Sequence, residues 1–119
     1  AAKKFEEVTV HRIWLIRKEQ LLLHRAPADA KRFANMYELP PVEMLGLDPG
    51  KFTERTPLLK KKRGITRYRI TEFVHALPAA TTLPPHPELC WVPLVNVETI
   101  SLSGPHRRWV TELLKTPSA

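Results

Sequence analysis

A short, strongly basic segment carries the clearest chemical signal in this sequence. Residues 60–69 contain six Lys or Arg residues and no acidic residue, in a chain whose formal net charge is +7. Clustered cations of this kind bind phosphate and release counterions from nucleic acid. The segment therefore predicts a phosphate-binding patch. The alternative interpretation is a solvated loop followed by an amphipathic strand.

Two residues inside the segment bear on what it could bind. Gly64 has no side chain, so the backbone at this position can approach a ligand closely. Tyr68 could stack on a base, but it alternates with Arg67 and Arg69 along the chain. This alternation favours a tyrosine that faces the core.

Metal-binding and hydrolytic chemistry are poorly represented. A single cysteine, Cys90, excludes an internal disulfide and a zinc or iron–sulfur site built from cysteines of this chain. The only adjacent acidic pair, Glu6 and Glu7, lies in the leading segment, and no serine is set in a glycine elbow. We therefore predict no catalytic residue and no metal ligand here. The histidines, which share no ligand spacing, are His11, His24, His75, His86 and His106.

The length and composition fit one globular domain. The chain has 119 residues and is 43% hydrophobic, enough for a core that needs no disulfide or metal. No apolar run approaches the ~20 residues needed to span a bilayer. We expect a monomeric, cytoplasmic protein that does not bind membranes. Because a charged lead without an initiating Met runs straight into strand-like sequence, we expect residues 1–119 to be a single domain excised from a longer protein.

The first half of the chain reads as a hairpin and a short helix. Residues 8–17 carry β-branched and aromatic side chains on both alternating faces, which predicts a strand covered on both sides. Residues 18–20 form a polar break of hairpin length, and residues 21–25 predict the returning strand. After Pro40 and Pro41, which exclude a helix at their own positions, residues 42–47 are expected to form a short helix.

The second half predicts further strands and a closing helix. Residues 58–77 read as an extended region, and residues 91–97 read as β sequence in which Pro93 indicates an edge strand or an irregular segment. Residues 103–105 are a good helix start. The order predicts an α+β domain. Its helix should pack on the sheet through a helical stripe formed by Trp109, Val110, Leu113 and Leu114.

These motifs, in this order, resemble the C-terminal domain of adenine DNA glycosylases of the MutY type. Residues 10–25 followed by Met36-Tyr37-Glu38-Leu39-Pro40 resemble the family's Nudix-type hairpin and its aromatic-Glu-Phe-Pro element. Residues 65–70 stand where the family carries its Phe-Ser-His-x-His segment, and residues 91–94 with the closing helix resemble its end. The resemblance implies a Nudix-like mixed β-sheet with flanking helices, including a C-terminal helix.

The resemblance also says which parts of the family are missing. A Nudix hydrolase needs a helix with paired glutamates that hold Mg²⁺, and the stretch after Glu38 offers only Pro40-Pro41, Glu43 and Asp48. The glycosylase's catalytic aspartate and its iron–sulfur cluster have no counterpart in this chain, so we expect no cofactor here. The resemblance implies a domain that recognises 8-oxoguanine opposite adenine during base excision repair. Its partners would be that duplex DNA and the catalytic domain of its parent chain.

The chemistry of recognition can be argued from the base itself. Oxidation of guanine turns N7 from an acceptor into an N–H donor, so a discriminating protein must present an acceptor there. Arginine has no acceptor, whereas the Thr66 hydroxyl or a main-chain carbonyl of residues 64–66 can accept. Ile65 is a candidate apolar wedge against the base stack. In the family pattern Ile65 replaces an aromatic residue, Thr66 a serine, and Arg67 and Arg69 histidines.

Two candidate sets follow. The predicted lesion-reading residues are Ile65, Thr66, Arg67, Tyr68 and Arg69, of which the two arginines are also candidate phosphate contacts. The predicted contacts to the DNA backbone are Lys60, Lys61, Lys62, Arg63 and Gly64.

Three alternatives remain open. In the first, Ile65 belongs to the core and Thr66 is an ordinary strand threonine. In the second, the chain is a catalytically inactive Nudix-like domain that binds a nucleotide or a protein partner. In the third, it is a small hydrolase that uses unrecognised carboxylates and shows Mg²⁺-dependent turnover.

Overall fold

A computed structural model describes residues 5–31 and 34–115, which form two β-sheets and a C-terminal α-helix. The strands are β1 Glu6–Trp14, β2 Ile16–Arg17, β3 Gln20–Arg25, β4 Tyr37–Glu38, β5 Leu59–Ile65, β6 Tyr68–Ala76 and β7 Leu89–Pro93. The helix α1 spans His106–Lys115, and three 3₁₀ helices span Val42–Leu45, Pro49–Phe52 and Leu94–Thr99. The predicted α+β class is confirmed.

The first sheet is mixed and contains the basic segment. Its strand order is β1-β6-β5, with β1 parallel to β6 and β5 antiparallel to β6. The second sheet is built around β3. Strand β7 pairs with one edge of β3 along most of its length. On the other edge of β3, β2 pairs with its first two residues and β4 pairs with its last two.

The predicted first hairpin is only partly correct. Only β2 pairs with β3, across a tight turn in which Lys18 and Glu19 have φ values of 50° and 61°. Strand β1 belongs to the other sheet, and the chain crosses between sheets at Leu15, which is fully buried. The prediction of one strand covered on both sides over residues 8–17 was therefore wrong. Within residues 8–17, only His11, Arg12, Ile13 and Leu15 are buried.

The basic segment is a hairpin rather than a loop that leads into a strand. Strands β5 and β6 pair from Leu59 opposite Val74 to Ile65 opposite Tyr68, and Thr66 and Arg67 form the turn. Thr66 has a φ of 50°, a backbone conformation that favours glycine. The extended region predicted for residues 58–77 is thus two antiparallel strands.

The helix α1 packs on the mixed sheet largely as its periodicity predicts. Trp109 and Val110 are 3% and 1% exposed and join Val74 of β6 in one apolar cluster, with Leu113 half-buried beside them. Leu114 is 41% exposed, so its predicted packing was wrong. At about 100° per residue it stands about 140° around the helix from Trp109 and about 40° beyond Val110, which places it past the edge of the buried face. No helix in the described ranges is long and apolar enough to cross a membrane.

A second apolar cluster covers the opposite face of the mixed sheet. It joins Ile13 of β1 to the short 3₁₀ helices through Val42, Leu45 and Phe52. The short helix predicted at residues 42–47 is confirmed as a 3₁₀ helix, and Gly46 ends it with a φ of 74°. The two clusters thereby cover both faces of the mixed sheet around Ile13 and Val74. The basic hairpin extends beyond this covered part.

Candidate nucleic-acid interface

Strand alternation divides the cations of the basic hairpin between two faces of the sheet. Residues paired across strands point to the same side. Lys60 lies opposite Phe73 and Lys62 opposite Thr71, on the same face as Arg69. All three cations are exposed, and we call Lys60, Lys62 and Arg69 the outer basic face. Lys61 and Arg63 point to the other side, towards α1.

The two inward cations already have carboxylate partners. Lys61 Nζ lies 3.6 Å from Glu112 Oε2, in a pair whose side chains are 42% and 47% exposed, so it contributes little stability. Arg63 Nε lies 3.0 Å from Glu72 Oε2, and the Glu72 side chain is only 1% exposed. Arg63 also reaches the start of α1, where a Cβ on Gly104 would come within 3.2 Å of its Nη1. Arg63 was predicted as a phosphate contact. Its guanidinium also anchors the hairpin, through Glu72 and the start of α1.

Glu72 holds the three strands of the mixed sheet together. Arg12 Nε of β1 donates to Glu72 Oε1 of β6 at 2.9 Å, and Arg63 of β5 approaches the other carboxylate oxygen. Arg12 Nη1 also donates to the Leu39 carbonyl at 2.7 Å. We call Arg12, Glu72 and Arg63 the buried triad. A buried charge without a partner costs free energy of folding, so the three side chains of the buried triad hold one another in place.

A histidine and two further glutamates extend this polar cluster. Glu38 Oε2 lies 3.6 Å from Arg12 Nη1, while Glu38 Oε1 lies 2.9 Å from His24 Nδ1 and Glu88 Oε1 lies 2.8 Å from His24 Nε2. The hydrogen bond with Glu38 raises the pKa of His24, and the bond with Glu88 adds to this against the opposing effect of burial. Burial alone would raise the pKa of Glu38, but His24 and Arg12 together hold it below its usual value. A protonated His24 therefore donates to both carboxylates.

His106 connects α1 to this cluster as a neutral ring. The Leu39 backbone N–H donates to His106 Nδ1 at 3.1 Å, which leaves the other ring nitrogen to carry the proton. Burial lowers the pKa of His106 to about 3, with the charge of Arg12 acting in the same direction. Helix α1 is thus fixed to the segment that precedes the 3₁₀ helices.

The turn of the hairpin exposes the residues predicted to read the lesion. Thr66 is exposed, and its hydroxyl donates to the Ile65 carbonyl at 2.7 Å, so the hydroxyl oxygen can still accept a hydrogen bond. Arg67 is 65% exposed and lies with its guanidinium carbon 5.3 Å from the centre of the Tyr68 ring. Ile65 and Tyr68 are half-buried and opposite each other. The turn thus brings Thr66 and Arg67 into solvent above an apolar pair.

Several residues of this surface were missed by the sequence analysis. Arg12 and Glu72 are charged residues at buried positions of their strands, each next to an apolar residue, and this was the available signal. Two aromatic residues also accompany the outer basic face: Phe5 lies 4.1 Å from the Arg69 guanidinium carbon, and Phe73 lies 5.7 Å from Lys60 Nζ. Nothing local in the sequence pairs positions so far apart.

The remaining candidate chemistry is limited. In the described part of the chain, no group of three or more His, Cys, Asp or Glu side chains is arranged to hold a metal ion. Burial raises the pKa of the Cys90 thiol, whose Sγ lies 3.6 Å from the Leu23 carbonyl oxygen, so this thiol is a poor nucleophile.

The chain has a Nudix-like fold. It aligns with the E. coli ORF135 protein over 97% of this chain and 96% of that one, with a TM-score of 0.63 and 16% identity. With the Nudix hydrolase RenU from M. smegmatis the coverages are 98% and 91%, the TM-score 0.51 and the identity 17%. With the C-terminal domain of mouse MUTYH, solved in complex with human PCNA, they are 98% and 94%, 0.52 and 13%. No protein-family model and no curated protein matches the sequence.

Proposed function

We propose that this domain recognises 8-oxoguanine opposite adenine in duplex DNA, as the lesion-reading domain of an A/G-specific adenine glycosylase. The observation that carries the proposal is the exposed turn at Thr66 and Arg67, which stands at the end of a basic hairpin. The likeness in fold to the C-terminal domain of mouse MUTYH supports it. Removal of adenine would be the task of a catalytic domain in the same parent chain, with its iron–sulfur cluster.

The proposed recognition step depends on one acceptor. The N7–H group of 8-oxoguanine donates to Thr66 Oγ1, whose own proton is directed to the Ile65 carbonyl. Unmodified guanine presents a lone pair at N7, so the hydroxyl could bind it only by turning its proton away from the Ile65 carbonyl. Ile65, half-buried beside Tyr68, supplies apolar surface against the neighbouring bases.

Binding of the duplex itself would depend on the cations that reach solvent. Lys60, Lys62, Arg67 and Arg69 are exposed, and we propose them as the main phosphate contacts, with Gly64 allowing close approach of the backbone. Lys61 is half-buried and paired, so its contribution should be smaller. Such contacts hold the domain on DNA without selecting a sequence.

Titrations with matched duplexes that differ only in G or 8-oxoguanine opposite adenine test this proposal. Thr66→Val keeps the shape of the side chain but removes the acceptor. It should reduce the preference for 8-oxoguanine by about 1 to 3 kcal/mol and leave binding of the undamaged duplex nearly unchanged. Thr53→Val, at another exposed threonine outside the hairpin, is the matched control and should change neither. If Thr66→Val keeps the full preference, Thr66 is not the reader.

The phosphate contacts are tested by the dependence of binding on salt. Lys62→Ala should weaken binding to both duplexes equally and reduce the slope of log K against log salt by about 0.9. Lys51→Ala, an exposed lysine of a 3₁₀ helix, is the control. Binding of nucleoside triphosphates in place of duplex DNA would instead favour an inactive Nudix-like nucleotide-binding domain.

A further inference from the structure

A groove of about 450 Å³ opens beside the outer basic face, next to the Gly64–Arg69 pair of the hairpin. Strand β5 lines it with Lys62 and Gly64, and β6 lines it with Arg69. Glu7 of β1 and Phe5, the residue just before β1, line the other side. Its size falls within the range of sites that take small organic ligands.

The groove exists because β5 carries a glycine opposite an arginine. Gly64 pairs with Arg69 in the hairpin, and a Cβ at Gly64 would meet no atom closer than the Tyr68 carbonyl oxygen at 3.9 Å. A side chain here would therefore fit without a clash and would fill open space over the sheet. The missing side chain leaves the flank of Arg69 accessible.

One end of the groove suits a flat aromatic ring. The Arg69 guanidinium carbon lies 4.1 Å from the centre of the Phe5 ring, so the two groups already form a stack. Phe5 remains 48% exposed, an unusual state for a phenylalanine next to a formed sheet. Arginine planes and aromatic rings are the surfaces on which proteins stack unpaired nucleobases.

Charge sets the direction in which a nucleotide would lie. Glu7 of β1 stands in register with Arg69 of β6. The negative charge of Glu7 makes the β1 side of the groove unfavourable for a phosphate. Lys62 stands exposed on the β5 side, beyond Gly64. A base on the Phe5–Arg69 stack would therefore direct its phosphate towards Lys62.

We propose that this groove binds one unpaired nucleotide of single-stranded DNA, with its base on the Phe5–Arg69 stack and its phosphate on Lys62. The inference rests on the proposed function only in placing DNA on the basic hairpin. It adds a contact for a strand that is not base-paired, and this contact shares Lys62 and Arg69 with the proposed contacts to the duplex.

The test is an NMR titration of the full chain, labelled with ¹⁵N, against a tetrathymidylate with a 5′-phosphate. Amide shifts should be centred on Gly64, Arg69 and Thr71, the residues of the groove. Phe5→Ala should weaken binding about fivefold or more, because the stacking surface is lost. The control Leu58→Ala removes an apolar side chain of similar exposure, 46%, and should leave the affinity unchanged. An unchanged affinity in Phe5→Ala would overturn the proposal.

A second probe separates stacking from attraction between charges. A tetramer of abasic sites with the same phosphates should bind the wild-type chain about as weakly as tetrathymidylate binds Phe5→Ala. Equal binding of the abasic and thymine tetramers would overturn the proposal, since phosphate alone would then account for the binding. Arg69→Gln should weaken the thymine tetramer, and Arg108→Gln, at an exposed arginine of α1, should not.

The outcomes for the two proposals differ. If the tetramer binds with the expected dependence on Phe5 but the domain shows no preference for 8-oxoguanine, the groove stands and the lesion-reading function fails. If the preference for 8-oxoguanine depends on Thr66 but the tetramer does not shift the groove amides, the function stands and the groove proposal fails.

Discussion

The buried triad makes a quantitative prediction about what holds the basic hairpin in place. Glu72→Gln keeps the size of the side chain but removes the one charge that faces both Arg12 and Arg63. The variant should be markedly less stable, because the Arg12 guanidinium, 9% exposed, is left without its nearest counter-charge.

The magnitude can be bounded from the geometry. Removing one partner of a buried ion pair costs about 3 to 5 kcal/mol. Two features favour the lower end: Arg63 is 31% exposed and can be hydrated, and Arg12 keeps the Leu39 carbonyl at 2.7 Å and Glu38 at 3.6 Å. We expect a loss of about 3 kcal/mol in the free energy of unfolding, which lowers Tm by on the order of 10 °C for a domain of this size.

Urea unfolding followed by tryptophan fluorescence and far-UV circular dichroism measures this loss. Glu54→Gln, an exposed glutamate, should stay within about 0.5 kcal/mol of wild type. The double variant Arg12→Met, Glu72→Leu should be more stable than Glu72→Gln, because it leaves no buried unpaired charge at these two positions. Hydrogen exchange should speed up most in β5. A loss below about 1 kcal/mol in Glu72→Gln, or a double variant no more stable than the single one, would refute this account.

Further predictions concern pH and the core. His24 has a raised pKa, so its contribution to stability is complete below its ordinary value of 6.5 and is lost as the pH rises through the folded value; His24→Gln should remove that alkaline loss in urea unfolding measured from pH 5 to 9. His106 has a pKa lowered to about 3, so its neutral burial should make the fold less stable as the pH falls from 6.5 towards 3, the opposite sign, and NMR titration of its ring should show no protonation at pH 5. Trp109→Ala should cost about 3 to 5 kcal/mol and Leu114→Ala less than about 1, and similar losses at the two positions would contradict the observed packing of α1.

Much of the architecture was predictable because it depends on local patterns. The helical spacing of Trp109, Val110 and Leu113 is enough to define the buried face of α1. The short helix within residues 42–47 was predictable from the sequence after Pro41, and in the structure Gly46 ends it with a φ of 74°. The motif order that resembles MutY-type C-terminal domains predicted a Nudix-like fold, and the fold is confirmed.

The candidate site was predictable in composition but not in arrangement. The run of cations over residues 60–69 was evident, yet its alternation in a hairpin sends Lys61 and Arg63 to carboxylates and leaves Lys60 and Lys62 in solvent. The turn at Thr66 divides what the sequence presents as one extended stretch. This turn was not predicted because a threonine, and not a glycine, adopts the φ of 50° there. The roles of these residues in reading DNA stay predictions.

By itself, the sequence determined which positions are apolar, where prolines interrupt regular structure, and where charge accumulates. These properties act over a few residues, so they can be recognised without knowing which segments meet. Only the tertiary structure decided that β1 pairs with β6 rather than with β3, and that Arg12 bonds to Glu72 across 60 positions of the chain. Such pairings depend on which buried charges still lack a counter-charge, and which strand edges still lack hydrogen-bond partners, as the sheets form. That condition belongs to the whole fold and is not written in any one segment.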